Sequence, residues 1–251
     1  MEEKSKKKYE LIQNTLEKGK KSRFLKYSEL FVGKPGLWAL IKYEIIISLF
    51  SEWPGALGIF LRGIFYRFIF KKIGKGVLFG KSVCIRHPYK ISIGDNAIID
   101  ENVMLDAKGI DNNGITIGEG VFLGRNTIIS CKNGDVVLHP RVNLGFNSYI
   151  VSLNNVEVGE NTLFAAYTYV IGGGHVPEEI YVPLKDQNTH GIGIKIGRDC
   201  WLGAKSMVMD GCNIGDYCII GAGAIVTKNI PDYSVAVGMP ARVVKDRRNT
   251  Q

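Results

Sequence analysis

Residues 196–226 read IGRDCWLGAKSMVMDGCNIGDYCIIGAGAIV, and in this stretch an aliphatic side chain returns at every sixth position: Ile196, Leu202, Val208, Ile214, Ile220 and Val226. Chance would give such a run on the order of one time in a thousand for a chosen frame. The same step continues upstream in triplets, namely Ile93, Ile99, Leu105; Ile117, Leu123, Ile129; Leu138, Leu144, Ile150; and Val158, Phe164, Val170. A fainter triplet, Ile73, Phe79, Ile85, precedes them. Glycine follows nine of the eighteen main anchors, for example at 94, 118, 145, 203 and 221, which suggests turns made with positive φ. Four positions after an anchor the residue is usually small, as at Ala97, Thr127, Ser148, Thr162, Thr168, Cys200, Ser206, Cys212, Cys218 and Ala224.

A six-residue step with three anchors per set describes a coil of three short sides. Each side turns one aliphatic and one small residue inward, and only stacking buries the aliphatic column. The expectation is an all-β solenoid of about seven triangular coils. Cys200, Cys212 and Cys218 then become core residues, while Cys84 and Cys131 stay unexplained by the pattern.

Working outward, the step from Val158 to Ile196 is 38 residues, so about 20 are inserted into one coil, spanning roughly 172–195 (GGGHVPEEIYVPLKDQNTHGIGIK). Extra residues at a solenoid corner project as a loop, and such loops usually line the working face. His175 opens this one after three glycines. His190 lies near its far end and reads as structural or exposed. Glu178 and Glu179 could either orient His175 or repel it. His87 and His139 each precede a proline and read as corner residues.

The N-terminal quarter differs. Residues 1–75 hold 16 Lys and Arg against 7 acids, whereas the remainder holds 16 against 17. No nucleic-acid-binding signature accompanies the excess, and the Lys6 to Lys8 run accounts for part of it as a solvated tail. Two apolar blocks, 37–50 and 57–70, read as helices broken at Pro54-Gly55. Each is about 14 residues and interrupted by charge, short of the ~20 needed to span a bilayer. With Trp38, Tyr43, Trp53 and Tyr66 and a basic fringe of Arg62, Arg67, Lys71, Lys72 and Lys75, residues 37–75 suit contact with an anionic membrane surface. Packing on the protein body or on a neighbouring subunit is the alternative. The organisation expected is a basic helical region at 1–72, the solenoid at 73–231 and a C-terminal extension at 232–251.

Among 251 residues, 45% hydrophobic content excludes wholesale disorder, and 30 glycines without a Gly-X-Y period exclude collagen. Five cysteines with no CxxC, and no apolar leader at the start, point to a reducing, cytoplasmic compartment.

The repeat, and the stretch WLGAKSMVMDGCNIGDYCIIGAGAIVTKNIPDYSVAVGMPARVVK at 201–245, resemble the hexapeptide-repeat acyltransferases, above all the galactoside, maltose and xenobiotic O-acetyltransferases. That resemblance implies a left-handed parallel β-helix, a homotrimer, and acetyl-CoA as co-substrate with no metal. It implies His175 as general base, and histidine is the side chain suited to that task near neutral pH. By resemblance Asn147 orients the acceptor, and Trp201, Gly203, Ala204, Thr227, Lys228 and Arg242 meet coenzyme A, with the backbone N–H groups of Gly203 and Ala204 facing the thioester carbonyl. Ala204 stands where the family often has serine, a change that a backbone donor survives.

The activity implied is O-acetylation of a sugar or saccharide, lipid-linked or destined for a surface polysaccharide, by an enzyme that is cytoplasmic or peripheral at the cytoplasmic membrane face. The competing readings are N-acetylation of a nucleotide-linked amino sugar, a non-catalytic trimeric scaffold, and a γ-type carbonic anhydrase. The last would need a third ligand beside His139 and His175, and residues 176–181 (VPEEIY) offer no histidine for it.

Overall fold

Every anchor of the sequence pattern stands in register with the anchor of the next coil. On the first face the ladder runs Ile73, Ile93, Ile117, Leu138, Val158, Ile196, Ile214. On the second it runs Phe79, Ile99, Leu123, Leu144, Phe164, Leu202, Ile220, and on the third Ile85, Leu105, Ile129, Ile150, Val170, Val208, Val226. All pairings along these ladders are parallel. The computed structural model, which describes residues 22–249, is a left-handed β-helix of seven complete triangular coils and the start of an eighth. Apart from half-buried Ile73, the ladder residues form one continuous core. Each contributes about 1.5–3 kcal/mol by leaving water.

All ten small residues at the fourth position are buried, the three cysteines included. Cys131 is a core residue too, at the end of its third-face strand, where burial raises its thiol pKa well above the ordinary value. Cys84 is half-buried on the outer side of the third face.

The glycines after the anchors need a different account from the one expected. None has positive φ; the left-handed residue comes two positions later, at Asn96, Asn126, Asn147, Asn161, Asp199, Lys205, Tyr217 and Gly223 among others. The glycines are there because coils approach closely at each corner. A Cβ on Gly203 would lie 2.5 Å from the backbone nitrogen of Ala222, and one on Gly118 2.7 Å from the carbonyl carbon of His139.

Among the described residues three helices cover the first coil: α1 (Arg23–Phe31), α2 (Leu37–Phe50) and α3 (Gly55–Phe65). Ser22 caps α1 by accepting from the Leu25 N–H, and no apolar block announced this helix. Helix α3 stops earlier than its apolar run, because a 3-10 turn at Tyr66–Phe68 leads the chain down onto the coil. There the Tyr66 ring meets Phe79 edge-on at 5.1 Å.

Arg62, placed by the sequence in the basic fringe, is instead 1% exposed. Its guanidinium donates to the carbonyls of Phe79, Phe50, Ser51 and Trp53 at 2.7–3.3 Å, tying the end of α2 to the solenoid. At the opposite end, Ser234–Val237 adds an eighth parallel strand to the second sheet and Arg242–Asp246 folds back antiparallel upon it.

Candidate active site

The inserted segment leaves the solenoid where the third-face strand Tyr169–Gly172 ends and returns at the first-face strand Ile194–Ile196. It forms a narrow arm in which Gly174 pairs with His190 and His175 with Thr189, antiparallel. The base of the arm is pinned twice. Asn154 Nδ2 donates to the Gly191 and Ile192 carbonyls, both at 3.0 Å, and the Asp210 carboxylate accepts from the Ile192 and Gly193 N–H groups at 2.8 and 2.9 Å. Beyond the paired strands, Gln187 closes the tip by bonding the backbone of Glu179 and Val182, so Glu178 and Glu179 belong to that exposed tip. His175 is thus held on a short ladder, exposed, at the edge between the third and first faces. Thr189 sits opposite it with a buried hydroxyl that has no partner among the described residues.

Thr227 and Lys228 lie exposed at the same edge, two coils above the start of the arm, because Val208 pairs with Val226 and Val170 with Val208. The other cofactor candidates stand elsewhere. Trp201 is half exposed on the second face, between Leu163 and Ile219. Gly203 and Ala204 follow it around the edge between the second and third faces. Arg242 pairs with Val237 on the terminal strand and turns its guanidinium onto the Ala241 carbonyl.

The edge at Ala204 has a feature that spacing alone could not give. The Gly203 N–H is consumed by the Ile220 carbonyl at 2.7 Å, whereas the Ala204 N–H has no partner among the described residues, nor do those of Ala166 one coil below and Ala222 one coil above. Of the two backbone donors suggested by resemblance, only that of Ala204 is available. Ala222 joins it as a donor that the sequence reading missed. With Ala165, Gly203, Gly221 and Gly223 these residues make a lane of small side chains up the corner. At its foot are Phe146 and Tyr167, whose rings meet edge-on at 5.8 Å.

Asn147 is on this edge as well, two coils below Ala204, with φ of 55° as in the corner residues stacked above and below it. Asparagine tolerates that backbone conformation better than most residues, so its type has a structural reason too. Within one chain Asn147 and Ala204 are separated from His175 by the width of the third face. The five steps from 167 to 172 alone span about 16 Å of extended chain.

The remaining histidines are corner residues. His139 bonds Glu157 at 2.8 Å on the first face, at a different edge from His175. His87 is buried, its Nε2 against the Glu29 carbonyl, and burial lowers its pKa to about 4.

Two family descriptions match the chain: the bacterial transferase hexapeptide (six repeats) over residues 193–228, and the hexapeptide repeat of succinyl-transferase over residues 72–107. A probable acetyltransferase of Mycobacterium tuberculosis is 32% identical over 165 residues, covering 63% of this chain and 55% of the relative. The galactoside O-acetyltransferase of Escherichia coli is 30% identical over 156 residues, covering 62% and 63% respectively. A putative colanic acid biosynthesis acetyltransferase of Escherichia coli is 26% identical over 190 residues, covering 76% of this chain and 77% of the relative. The chain therefore spans somewhat over half the length of the first two relatives. Coil, corner and sequence agree: two stretches of the chain match hexapeptide-repeat transferase families, and the chain is similar to acetyltransferases over most of the solenoid.

Proposed function

We propose that the protein is an acetyl-CoA-dependent O-acetyltransferase that modifies a saccharide hydroxyl, with each active site shared by two subunits of a homotrimer. The observation that carries this reading is the split of the site. The arm bearing His175 and the lane bearing the free Ala204 N–H lie on opposite edges of the third face, so one chain cannot close a site by itself. A neighbouring subunit that brings its lane against this arm completes it. The outer surface supports such packing: the third face turns Met104, Ile128, Tyr149, Tyr169, Met207 and Ile225 outward, whereas the first face is mostly polar, with Lys72, Ser92, Thr116, Glu157, Lys195 and Asn213.

In the reaction, the His175 imidazole takes the proton of the acceptor hydroxyl as its oxygen attacks the thioester carbonyl carbon. The oxyanion that forms is held by the Ala204 N–H. As the tetrahedral centre collapses the carbon–sulfur bond breaks, and the thiolate of coenzyme A leaves with the proton carried by the imidazole. Trp201 lies along the pantetheine arm, and Thr227, Lys228 and Arg242 meet the phosphates of coenzyme A. Asn147 orients the acceptor. Similarity to a galactoside O-acetyltransferase and to a putative colanic acid biosynthesis acetyltransferase supports a sugar acceptor, including one destined for a surface polysaccharide.

Turnover of acetyl-CoA with candidate sugar acceptors tests the chemistry. His175→Ala is expected to lower kcat by roughly 10²–10⁴-fold with the fold intact; undiminished transfer by that variant removes the proposed base. Mass spectrometry of products formed from labelled acetyl-CoA separates an ester on a hydroxyl from an amide on a nucleotide-linked amino sugar, the competing product.

A further inference from the structure

Helices α2 and α3 carry apolar side chains on both faces. The inner face of α2 buries Leu40, Tyr43 and Ile46, while the opposite face leaves Trp38, Ile41, Ile45 and Leu49 exposed. Helix α3 buries Gly58 and Arg62 and, with the turn after it, exposes Leu57, Phe60, Ile64 and Phe68. The two exposed stripes meet where Lys42 Nζ lies 6.0 Å from the Phe68 ring centre. Beside Phe60 and Ile64, an open groove of about 730 Å³ runs to Leu78 on the first coil. An apolar face of this extent calls for a cover.

The charges around it indicate which. Besides buried Arg62, residues 23–75 hold eight basic side chains against three acids. Lys34 and Lys42 flank Trp38, Arg67 lines the groove, and exposed Lys75 precedes Gly76 of its wall. Of the acids, Glu44 is engaged by the Tyr27 hydroxyl and Glu52 by the hydroxyls of Ser51 and Ser82. A second copy docked face to face would bring one cationic fringe against another. An anionic bilayer would cover the apolar residues and pair with the fringe together. Among the described residues no helix is long and apolar enough to cross a membrane; at 1.5 Å per residue α2 is about 21 Å long against a hydrocarbon core of about 30 Å.

We infer that α2 and α3 form a docking surface for the headgroup layer of an anionic membrane, seating the first coil of the solenoid against the lipid. The apolar stripes enter the boundary between headgroups and acyl chains, Trp38 and Trp53 sit at headgroup depth, and the lysines contact lipid phosphates. Because the helices cap one end of the solenoid, a trimer of parallel solenoids would present three such surfaces together and bind by avidity. This inference deepens the acyl-transfer reading by presenting the acceptor at a lipid surface, but its test needs no turnover.

The full-length protein is sedimented with vesicles of phosphatidylcholine alone and of phosphatidylcholine with phosphatidylglycerol, at roughly 0.1 M and 0.5 M salt. Binding is expected on the anionic vesicles at low salt, with much less on neutral ones. The triple variant Lys34→Gln, Lys42→Gln, Lys75→Gln is expected to lower partitioning on the order of 100-fold, and Trp38→Ser with Phe60→Ser to abolish it. The charge variants leave the buried contacts of both helices alone, so they remain informative if the apolar pair fails to fold. Absence of binding, equal binding to both vesicle types, or binding indifferent to the charge variants overturns the inference. So does a change of oligomer mass in the apolar variants, measured by light scattering, since that would make another copy of the chain the cover. Undiminished acetyl transfer to a soluble acceptor by the charge variants separates failure of docking from failure of the chemistry.

Discussion

His87 sits in the left-handed region with φ of 54°, buried where α1 meets the first coil, and its neutral ring fits against the Glu29 carbonyl. Burial lowers its pKa from 6.5 to about 4, so between those values the unfolded chain binds a proton that the folded one refuses. Stability from this group is therefore complete above pH 6.5 and is lost progressively as pH falls toward 4, by up to about 3 kcal/mol. Thermal unfolding should show the native protein losing more of its Tm between pH 7 and pH 5 than His87→Asn, which keeps a residue tolerant of that backbone. A flat profile for the native chain would remove this reading. The sequence marked His87 as a corner residue from the following proline. The helix that buries it was not legible, because its packing partner lies some 55 residues away in the chain.

At the scale of elements, the solenoid and the helical cap were legible to different degrees. Six-residue phasing fixed all three faces, since each strand's inward residue has to stack on its equivalent one coil away. The extent of α3 did not follow from its apolar run, because Tyr66 and Phe70 serve the first coil and not the helix. Arg62 shows the same limit: a basic residue in an apolar helix reads as fringe until four backbone carbonyls converge on it. Arg62→Leu leaves those acceptors buried and unpaired, and a loss of roughly 2–4 kcal/mol from the cap is expected. Circular dichroism with hydrogen exchange should find α2 and α3 opening well below the temperature at which the coils unfold. Unaltered protection of α2 would show that the clamp contributes little.

For the molecule as a whole, the proposed sharing of the site between subunits has a consequence that no single-chain site has. His175→Ala removes the base proposed on the arm and Ala204→Pro the donor proposed on the lane; proline is tolerated at the equivalent position of another corner, where Pro140 follows His139. Each variant alone should be inactive. Trimers reassembled from an equal mixture should regain activity at about a quarter of their sites, those that pair an intact arm with an intact lane. Recovery of nothing, with mixed trimers demonstrated by mass, would place both groups in one chain's own site.

The amino-acid sequence by itself determined the solenoid, the number of its complete coils, the point at which the arm departs and the histidine that begins it. All of these are periodic or local, because in a stacked coil each residue answers to a neighbour a fixed number of positions away. Only the tertiary structure decided which corner N–H groups stay unpaired, that the post-anchor glycines answer close approach between coils and not positive φ, that Arg62 is buried, and that the arm and the lane stand on opposite edges. Those depend on where backbone carbonyls and whole faces converge in space, and no repeat along the chain encodes such distances.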